Sequence, residues 1–314
     1  MWWATALSEA VTGSKPLAVV CNSKALVLFR NAAGALCALE DRCPHRRVPL
    51  SLGTVTPNGL QCGYHGWTFN GTSGACHTIP NLRADERVPP RYAACAYPVA
   101  EAQGFVHVWL GEGAPGPVLP SAAYQPQGLE STGSATVNMA HGEYLRAMLD
   151  GPECLLAFDA VRMTDFFLGD PRQESDWLVL DRGAVWQNRR LPSNFVVDYP
   201  LIVRTAVALH GGAIRVELLD PDEAAIVTLW IAASANLRGT TSLCWRGYAV
   251  PRAVASAPWR WRSARMLHKP CFEVFASVNG AAVAALLVAP SRDLELALAA
   301  MQPQEVPDAH FSLA

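Results

Sequence analysis

Two short stretches, Cys43-Pro44-His45 and Cys62-Gly63-Tyr64-His65, carry the strongest signal in this chain. Sixteen residues separate His45 from Cys62, and each stretch pairs a cysteine with a histidine in the same order. Thiolates and imidazoles are both strong ligands for transition metals. The pattern therefore predicts a metal site built from two cysteines and two histidines.

The mixed order of the ligands favours one kind of site. In a [2Fe–2S] cluster of mixed ligation, two thiolates hold one iron and two imidazoles hold the other, which raises the reduction potential above that of an all-cysteine ferredoxin. A zinc site is the alternative, but zinc spacing normally keeps like ligands together. A lone Cys-x-His would be no more than a buried thiol near an unrelated histidine. We therefore expect a [2Fe–2S] cluster that transfers single electrons, held by Cys43, His45, Cys62 and His65.

The residues around these ligands resemble the Rieske domain of the ring-hydroxylating and demethylating oxygenases, from about Trp3 to Gly111. The resemblance is carried by residues 43–53, 62–70, 74–80 and 97–99.

Rieske proteins of respiratory complexes differ from this chain at two positions beside the ligands. They carry an additional disulfide there, whereas this chain has Val48 and Tyr64 at the corresponding places. The resemblance therefore points to the lower-potential oxygenase type rather than to a respiratory subunit.

The composition is that of a globular chain with two domains. Its 314 residues, of which 51% are hydrophobic and 17% charged, are ample for substantial cores. The net charge of −2 argues against nucleic acid or an anionic membrane surface as a partner. No apolar run is long enough to span a membrane, and the N-terminus lacks the features of a secretory signal.

The nine cysteines are scattered and form no disulfide framework, so we expect a cytoplasmic protein. Seven of them are not predicted ligands and are expected to be plain buried thiols. They are Cys21, Cys37, Cys76, Cys95, Cys154, Cys244 and Cys271.

Turn and strand patterns divide the chain. Short alternating segments between Ala18 and Leu39, a closing strand at Phe105–Leu110 and several Gly/Asn turns predict a compact antiparallel all-β domain over residues 1–116. The Gly- and Pro-rich stretch that follows predicts a linker over residues 117–130. Residues 131–314 are assigned to a second domain.

The second domain mixes helix and strand patterns, so the predicted fold class of the chain is α+β. Helices are predicted over Val137–Leu149, which ends at Gly151-Pro152, and over Leu294–Met301. Strands of one antiparallel sheet are predicted at Leu201–Leu209, Ile214–Leu219, Ile226–Ala232 and Thr241–Val250. The resemblance implies a helix-grip (START-like) domain, in which a curved antiparallel sheet wraps on helices around a cavity for a mononuclear iron and the substrate.

The resemblance also implies an iron site in this domain, and here the chain departs from the family. The family motif is Asn-x-x-Asp-x-x-His-x-x-x-x-His, followed later by a carboxylate. The best match begins at Asn138, but His141 replaces the aspartate, and Tyr144 and Leu149 replace the two histidines. Leucine has no donor atom, a phenolate suits Fe(II) poorly, and Asp293 at the carboxylate position cannot retain iron alone. We therefore expect the mononuclear Fe(II) to be absent.

Two further hypotheses concern the same helix. A rearranged iron site would combine His141, Glu143 and Asp150 with His210 or His268. Alternatively, Asn138 and His141 form an electron-transfer bridge, in which His141 hydrogen-bonds a cluster histidine or a relay histidine of an adjacent chain. The histidines outside both motifs are expected to be structural or exposed, namely His77, His107, His210, His268 and His310.

These features predict the Rieske-cluster subunit of a hetero-oligomeric oxygenase. The resemblance implies a related catalytic chain in a mixed trimer or hexamer, which hydroxylates or demethylates a small aromatic or polycyclic substrate, and a reductase or ferredoxin as electron donor. A self-sufficient Rieske monooxygenase or demethylase with non-standard ligands is the second hypothesis, and a Rieske ferredoxin-like carrier is the third. Four aromatic residues are predicted to line a cavity or to fill the core, namely Trp177, Trp186, Phe195 and Trp230.

Overall fold

The structure is a computed structural model of the 314-residue chain. It describes residues 1–83, 86–116, 129–159, 161–186, 200–249, 272–279 and 281–283.

The N-terminal part of the chain is built from short antiparallel strands. They are β1 (Trp2–Leu7), β2 (Leu17–Cys21), β3 (Lys24–Arg30), β4 (Leu36–Glu40), β5 (Thr54–Thr56), β6 (Gly59–Gln61), β7 (Thr68–Phe69), β8 (Cys76–Thr78), β9 (Ala96–Tyr97), β10 (Val99–Ala102) and β11 (Phe105–Trp109). Within the described residues they form sheets of order β1-β11-β10, β2-β3-β4-β9 and β5-β6-β7-β8. The all-β prediction for this part, including the closing strand, is confirmed.

Strand β3 joins two small cores because its side chains alternate between the two faces of the sheet. Val27 and Phe29 pack into the core beneath the predicted ligand loops. Leu26 and Leu28 pack into the second core, which lies against β1 and β11. All four side chains are completely buried, and burying each contributes about 1.5–3 kcal/mol to folding.

The second part of the chain is dominated by one large antiparallel sheet. Its strands are β12 (Leu129–Val137), β14 (Val161–Leu168), β15 (Arg172–Glu174), β16 (Trp177–Trp186), β17 (Pro200–Ala208), β18 (Ala213–Leu219), β19 (Ala225–Ala235) and β20 (Thr241–Ala249). The order is β12-β20-β19-β18-β17-β16-β14, and β15 pairs with β16. A separate pair consists of β13 (Leu156–Phe158) and β21 (Phe272–Val274), and helix α1 covers His141–Asp150.

The large sheet lies between helix α1 and the N-terminal part. On β19, Ile231 packs into the core that contains Tyr144 and Leu149 of α1. Its neighbours Trp230 and Ala232 point the other way and pack with residues of β1 and β11. Because successive side chains of a strand point to opposite faces, β19 contributes to the cores on both sides of the sheet.

A hydrogen bond and an ion pair connect the two parts directly. The backbone N–H of Ser23 donates to the carbonyl of Ala235 over 3.0 Å. Arg246 on β20 forms ion pairs with Glu9 and with Glu130.

The α+β fold class and the curved antiparallel sheet are confirmed, and the four predicted strands correspond to β17–β20. The predicted start of the helix at Val137 is wrong. Val137 pairs with Thr241 at the end of the β12–β20 ladder, so its apolar side chain belongs to the strand. A turn follows, and the helix begins at His141.

Other predictions fall partly or wholly outside the described residues. Residues 117–128 and the predicted helix Leu294–Met301 lie outside them, so the division into 1–116, 117–130 and 131–314 stays a prediction. Strand β12 begins at Leu129, within the last two positions assigned to the linker. No helix in the described parts of the chain has the length and apolar character that crossing a membrane requires.

Candidate metal centre

Two loops of the same shape carry the predicted cluster ligands. In the first loop, the N–H of Cys43 donates to the carbonyl of Val48 over 2.8 Å, and the N–H of Arg47 donates to the carbonyl of Cys43 over 2.8 Å. The second loop, between β6 and β7, repeats both bonds. The N–H of Cys62 donates to the backbone carbonyl of the residue five positions later, over 2.8 Å. The carbonyl of Cys62 accepts a hydrogen bond from the backbone N–H of the residue four positions later, over 3.0 Å. Each loop therefore holds its histidine at the tip of a closed turn.

The second loop and the strand before it lie against the segment that follows the first loop, and glycines allow this contact. A Cβ atom on Gly63 would stand 2.8 Å from the carbonyl oxygen of Leu52, and one on Gly53 would stand 2.0 Å from that of Gln61. Both distances are too short for any side chain. The close approach of the two backbones thus requires glycine at these positions.

The four side chains form a pair of thiols and a pair of imidazoles. Cys43 and Cys62 are buried, with 2% and 3% of their surfaces exposed. Burial raises the pKa of the Cys43 thiol to about 11, and the neighbouring Cys62 contributes to the rise. His45 and His65 are exposed, and their ring centroids are 4.8 Å apart. The thiols therefore lie on the core side of the site and the imidazoles on the solvent side.

Aromatic side chains fix the ring of His45. Its imidazole stacks on the indole of Trp67 with centroids 4.5 Å apart and planes 3° from parallel. Tyr92 packs edge-on against the same indole at 5.1 Å. The pKa of His45 is lowered by desolvation and by the positive charges of His65 and Arg46, which favours the neutral imidazole that binds metal. The supporting role of Tyr92 was not predicted, because no local pattern connects it to the ligand loops.

The separation of the side chains into a thiol pair and an imidazole pair suits a cluster with two irons. A tetrahedral zinc ion needs all four ligands around one point. A [2Fe–2S] cluster needs only two protein ligands at each iron, and a thiol pair beside an imidazole pair supplies them.

The positions that the sequence match assigns to the family's iron ligands lie in an apolar core. Tyr144 and Leu149 on α1 have 0% and 1% of their surfaces exposed and pack among aliphatic side chains. The hydroxyl of Tyr144 has no hydrogen-bond partner in the described residues. Burial raises the pKa of this phenol, so ionisation to a phenolate ligand is unfavourable.

The two candidate bridge residues lie in different surroundings. His141 is largely buried at the start of α1, where its ring centroid is 6.0 Å from that of Trp3 in the same chain. Burial lowers the pKa of His141, so its neutral form is favoured. Asn138, in the turn after β12, is exposed. The bridge to an adjacent chain stays a prediction.

The described residues do not bring a rearranged iron site together. Glu143 is exposed, Asp150 lies 3.7 Å from the guanidinium of Arg146, and His210 is on the opposite face of the sheet, beside β1. Asp293 and His268 lie outside the described residues, as do Phe195, Cys271 and His310.

The predictions for the remaining cysteines and histidines are mostly confirmed. The eight described cysteines are free. The prediction of a buried thiol is wrong for Cys95, which is exposed in the irregular segment just before β9, and Cys154 is only partly buried. His77 and His210 are exposed and His107 is largely buried.

Comparison with known proteins agrees with this geometry. The Rieske [2Fe-2S] domain family matches residues 1–98. The putative toluene-4-sulfonate monooxygenase system iron-sulfur subunit of Comamonas testosteroni is 42% identical over 110 residues, which are 35% of this chain and 31% of that protein. The 3-chlorobenzoate-3,4-dioxygenase oxygenase subunit of the same organism is 36% identical over 38% of this chain and 28% of that protein. The chain thus aligns with about a third of the length of these curated relatives.

Solved structures extend the likeness to the whole fold. Dicamba monooxygenase bound to dicamba has a TM-score of 0.63 and 18% identity, and the match covers 85% of this chain and 84% of that one. The NdmA QL mutant of Pseudomonas putida CBB5 with caffeine has a TM-score of 0.55 and 17% identity, over 100% of this chain and 85% of that one.

The ligand loops and the sheets around them are therefore those of a Rieske [2Fe–2S] domain. Beyond this domain, the overall fold of the chain is similar to that of the solved structures of dicamba monooxygenase and NdmA.

Proposed function

We propose that this chain is the electron-transfer subunit of a hetero-oligomeric Rieske oxygenase and that it holds no oxygen-activating iron of its own. One observation carries the proposal. Tyr144 and Leu149, which the sequence match aligns with the two histidine ligands of the Rieske oxygenases, are both buried in an apolar core. A related catalytic chain would carry the mononuclear iron.

The four ligands would divide between the two irons, with the thiol pair on one iron and the imidazole pair on the other. Cys43 and Cys62 would hold the iron on the core side, and His45 and His65 would hold the iron on the solvent side. A Rieske cluster supplies one-electron transfer at a potential that imidazole ligation raises. The protein contributes the closed loops that fix the ligands, the stack of Trp67 on His45, and exposed imidazole edges through which a partner can approach.

The surface beside the two histidines suits a docking partner. Leu52 and Tyr64 have 76% and 61% of their surfaces exposed, and the ring of Tyr64 packs 3.9 Å from that of His65. Arg46 and Arg47 are also exposed. An exposed apolar pair with adjacent arginines fits a partner whose docking face is apolar with acidic residues nearby.

Replacing Leu52 by aspartate is expected to slow electron transfer through this surface by roughly tenfold, because the charge opposes an apolar contact. The cluster's paramagnetic resonance spectrum should stay unchanged. Leu237→Asp is the matched control, since Leu237 is 52% exposed on the second domain. Stopped-flow reduction of both variants by the same donor measures the effect. Equal reduction rates for the two variants would show that electrons do not enter through this surface.

A second prediction tests the apolar core around α1. Tyr144→Phe deletes a buried hydroxyl that has no partner in the described residues. We expect the free energy of unfolding to rise by about 1 kcal/mol, because an unsatisfied buried polar group is unfavourable. Iron content should not change. Urea unfolding and iron analysis of both proteins measure this, and loss of one iron on substitution would make Tyr144 a ligand.

Substrate and partners follow from the relatives. The relatives named above include proteins whose names refer to toluene-4-sulfonate and 3-chlorobenzoate, so we propose a small aromatic or polycyclic substrate for the complex. A reductase or ferredoxin would supply electrons. The eight free cysteines suit a reducing compartment, and we place the protein in the cytoplasm.

Iron and acid-labile sulfide analysis tests the proposal directly. The purified chain should contain two irons and two sulfides, whereas a self-sufficient oxygenase with non-standard ligands should contain three irons. The ferredoxin-like carrier would also contain two irons, but it would leave the large second sheet without a role. Stable association with a related chain that carries an intact iron motif separates these two.

A further inference from the structure

A cavity of about 360 Å³ lies between the N-terminal part and the large sheet, on the face opposite helix α1. Strands β1 and β11 form one wall, and β16 to β19 form the other. This size is within the range of small-molecule sites. It is separate from the ligand loops and from the core around Tyr144.

Tryptophans from both parts of the chain line this cavity. Trp2 and Trp109 meet edge to face with centroids 5.6 Å apart, and Trp177 and Trp230 do the same at 6.0 Å. Arg215 lies 5.7 Å from the ring centroids of Trp177 and Trp230. The cation holds the two indoles in place from outside the cavity.

A pair of glycines forms the turn at the edge of the cavity. Gly211 and Gly212, between β17 and β18, have φ values of +83° and +65°. A Cβ on Gly211 would stand 2.6 Å from the carbonyl oxygen of Trp2. The turn can therefore pack beneath β1 only with glycine, and this packing places His210 at the edge of the cavity.

We propose that this cavity binds a neutral bicyclic aromatic compound that carries a hydroxyl or amino group. The indole walls suit flat rings, and interiors of proteins do not normally leave apolar gaps of this size unfilled. The charged and titratable groups that line the cavity are Asp176, His107, His210 and the amino terminus of Met1, whose pKa is lowered by desolvation. Asp176 and His210 are exposed at the mouth, where they can accept a hydrogen bond from the ligand. The carboxylate of Asp176 disfavours an anionic ligand.

Calorimetric titration of the cluster-containing protein with 2-naphthol tests the proposal, with 2-naphthoate as the anionic counterpart. We expect saturable 1:1 binding of 2-naphthol and at least tenfold weaker binding of 2-naphthoate. A ligand held by both walls should also raise the melting temperature of the protein. Absence of saturable binding up to the solubility limit of 2-naphthol would overturn the proposal.

Two test variants and two control variants show whether the ligand binds in this cavity. Trp177→Ala removes a wall and Ala213→Phe fills the cavity, and each should weaken 2-naphthol binding at least tenfold. Trp245→Ala and Ala225→Phe are the controls: Trp245 packs on the opposite face of the sheet, and Ala225 does not line the cavity. An unchanged cluster spectrum and circular dichroism show that each variant is folded. If the controls weaken binding as much as the test variants, the ligand binds elsewhere and the proposal fails.

Discussion

Cys62→Ser is expected to eliminate the paramagnetic resonance signal that the reduced protein gives from its [2Fe–2S] cluster. Each iron of such a cluster has only two protein ligands, so the loss of one thiolate removes half of the protein's hold on that iron. Cys62 is 3% exposed and lies beside Cys43. We expect iron content to fall from two per chain to nearly none.

The control for this experiment is Cys76→Ser. Cys76 is also free and buried in the same domain, with 9% of its surface exposed, but it is not on either ligand loop. The variant should keep two irons and the full signal. A protein that holds zinc and no iron, or a full signal from Cys62→Ser, would contradict the cluster assignment.

His45→Cys gives a complementary result on the solvent side of the site. A third thiolate adds negative charge to the cluster, so its reduction potential should fall on the order of hundreds of mV or the cluster should be lost. Spectroelectrochemical titration measures the potential.

Local spacing was enough to predict a ligand set, which stays a prediction. The four side chains come from two short loops, and their order along the chain already separates them into thiols and imidazoles. The strands of the second sheet were also predictable from local patterns, since alternation along β18 reports burial directly and β19 is a nearly continuous run of buried residues. The start of α1 could not be predicted, because the apolar residues Val137 and Met139 suit either a strand end or a helix.

Features formed by distant residues could not be predicted. Tyr92 supports Trp67 from twenty-five residues away, and the cavity between the two parts of the chain joins Trp109 to Trp177 and Trp230. The sequence suggested that Trp177 and Trp230 line a cavity or fill the core. It could not show that they face β1 rather than α1, because that choice depends on how the two parts pack.

The isolated chain is expected to accept electrons from a reductase and to oxygenate nothing. Oxygen activation by Rieske oxygenases needs a ferrous ion with open coordination positions. Tyr144 and Leu149 replace histidines in the sequence match to the iron motif, and both are enclosed by aliphatic side chains. Product formation from a panel of aromatic substrates, measured with a reductase and the purified chain alone, should therefore not exceed the rate of the reductase by itself.

Adding a related catalytic chain should restore turnover, and ligand variants then show whether this chain's cluster lies on the electron path. Cys43→Ser or His65→Ala should lower turnover of the complex roughly tenfold or more, while Cys76→Ser leaves it unchanged. If the ligand variants leave the turnover of the complex unchanged, the chain is a structural subunit. Three irons per chain together with turnover by the isolated protein would refute the proposal, because the chain would then hold the oxygen-activating iron that the proposal assigns to its partner.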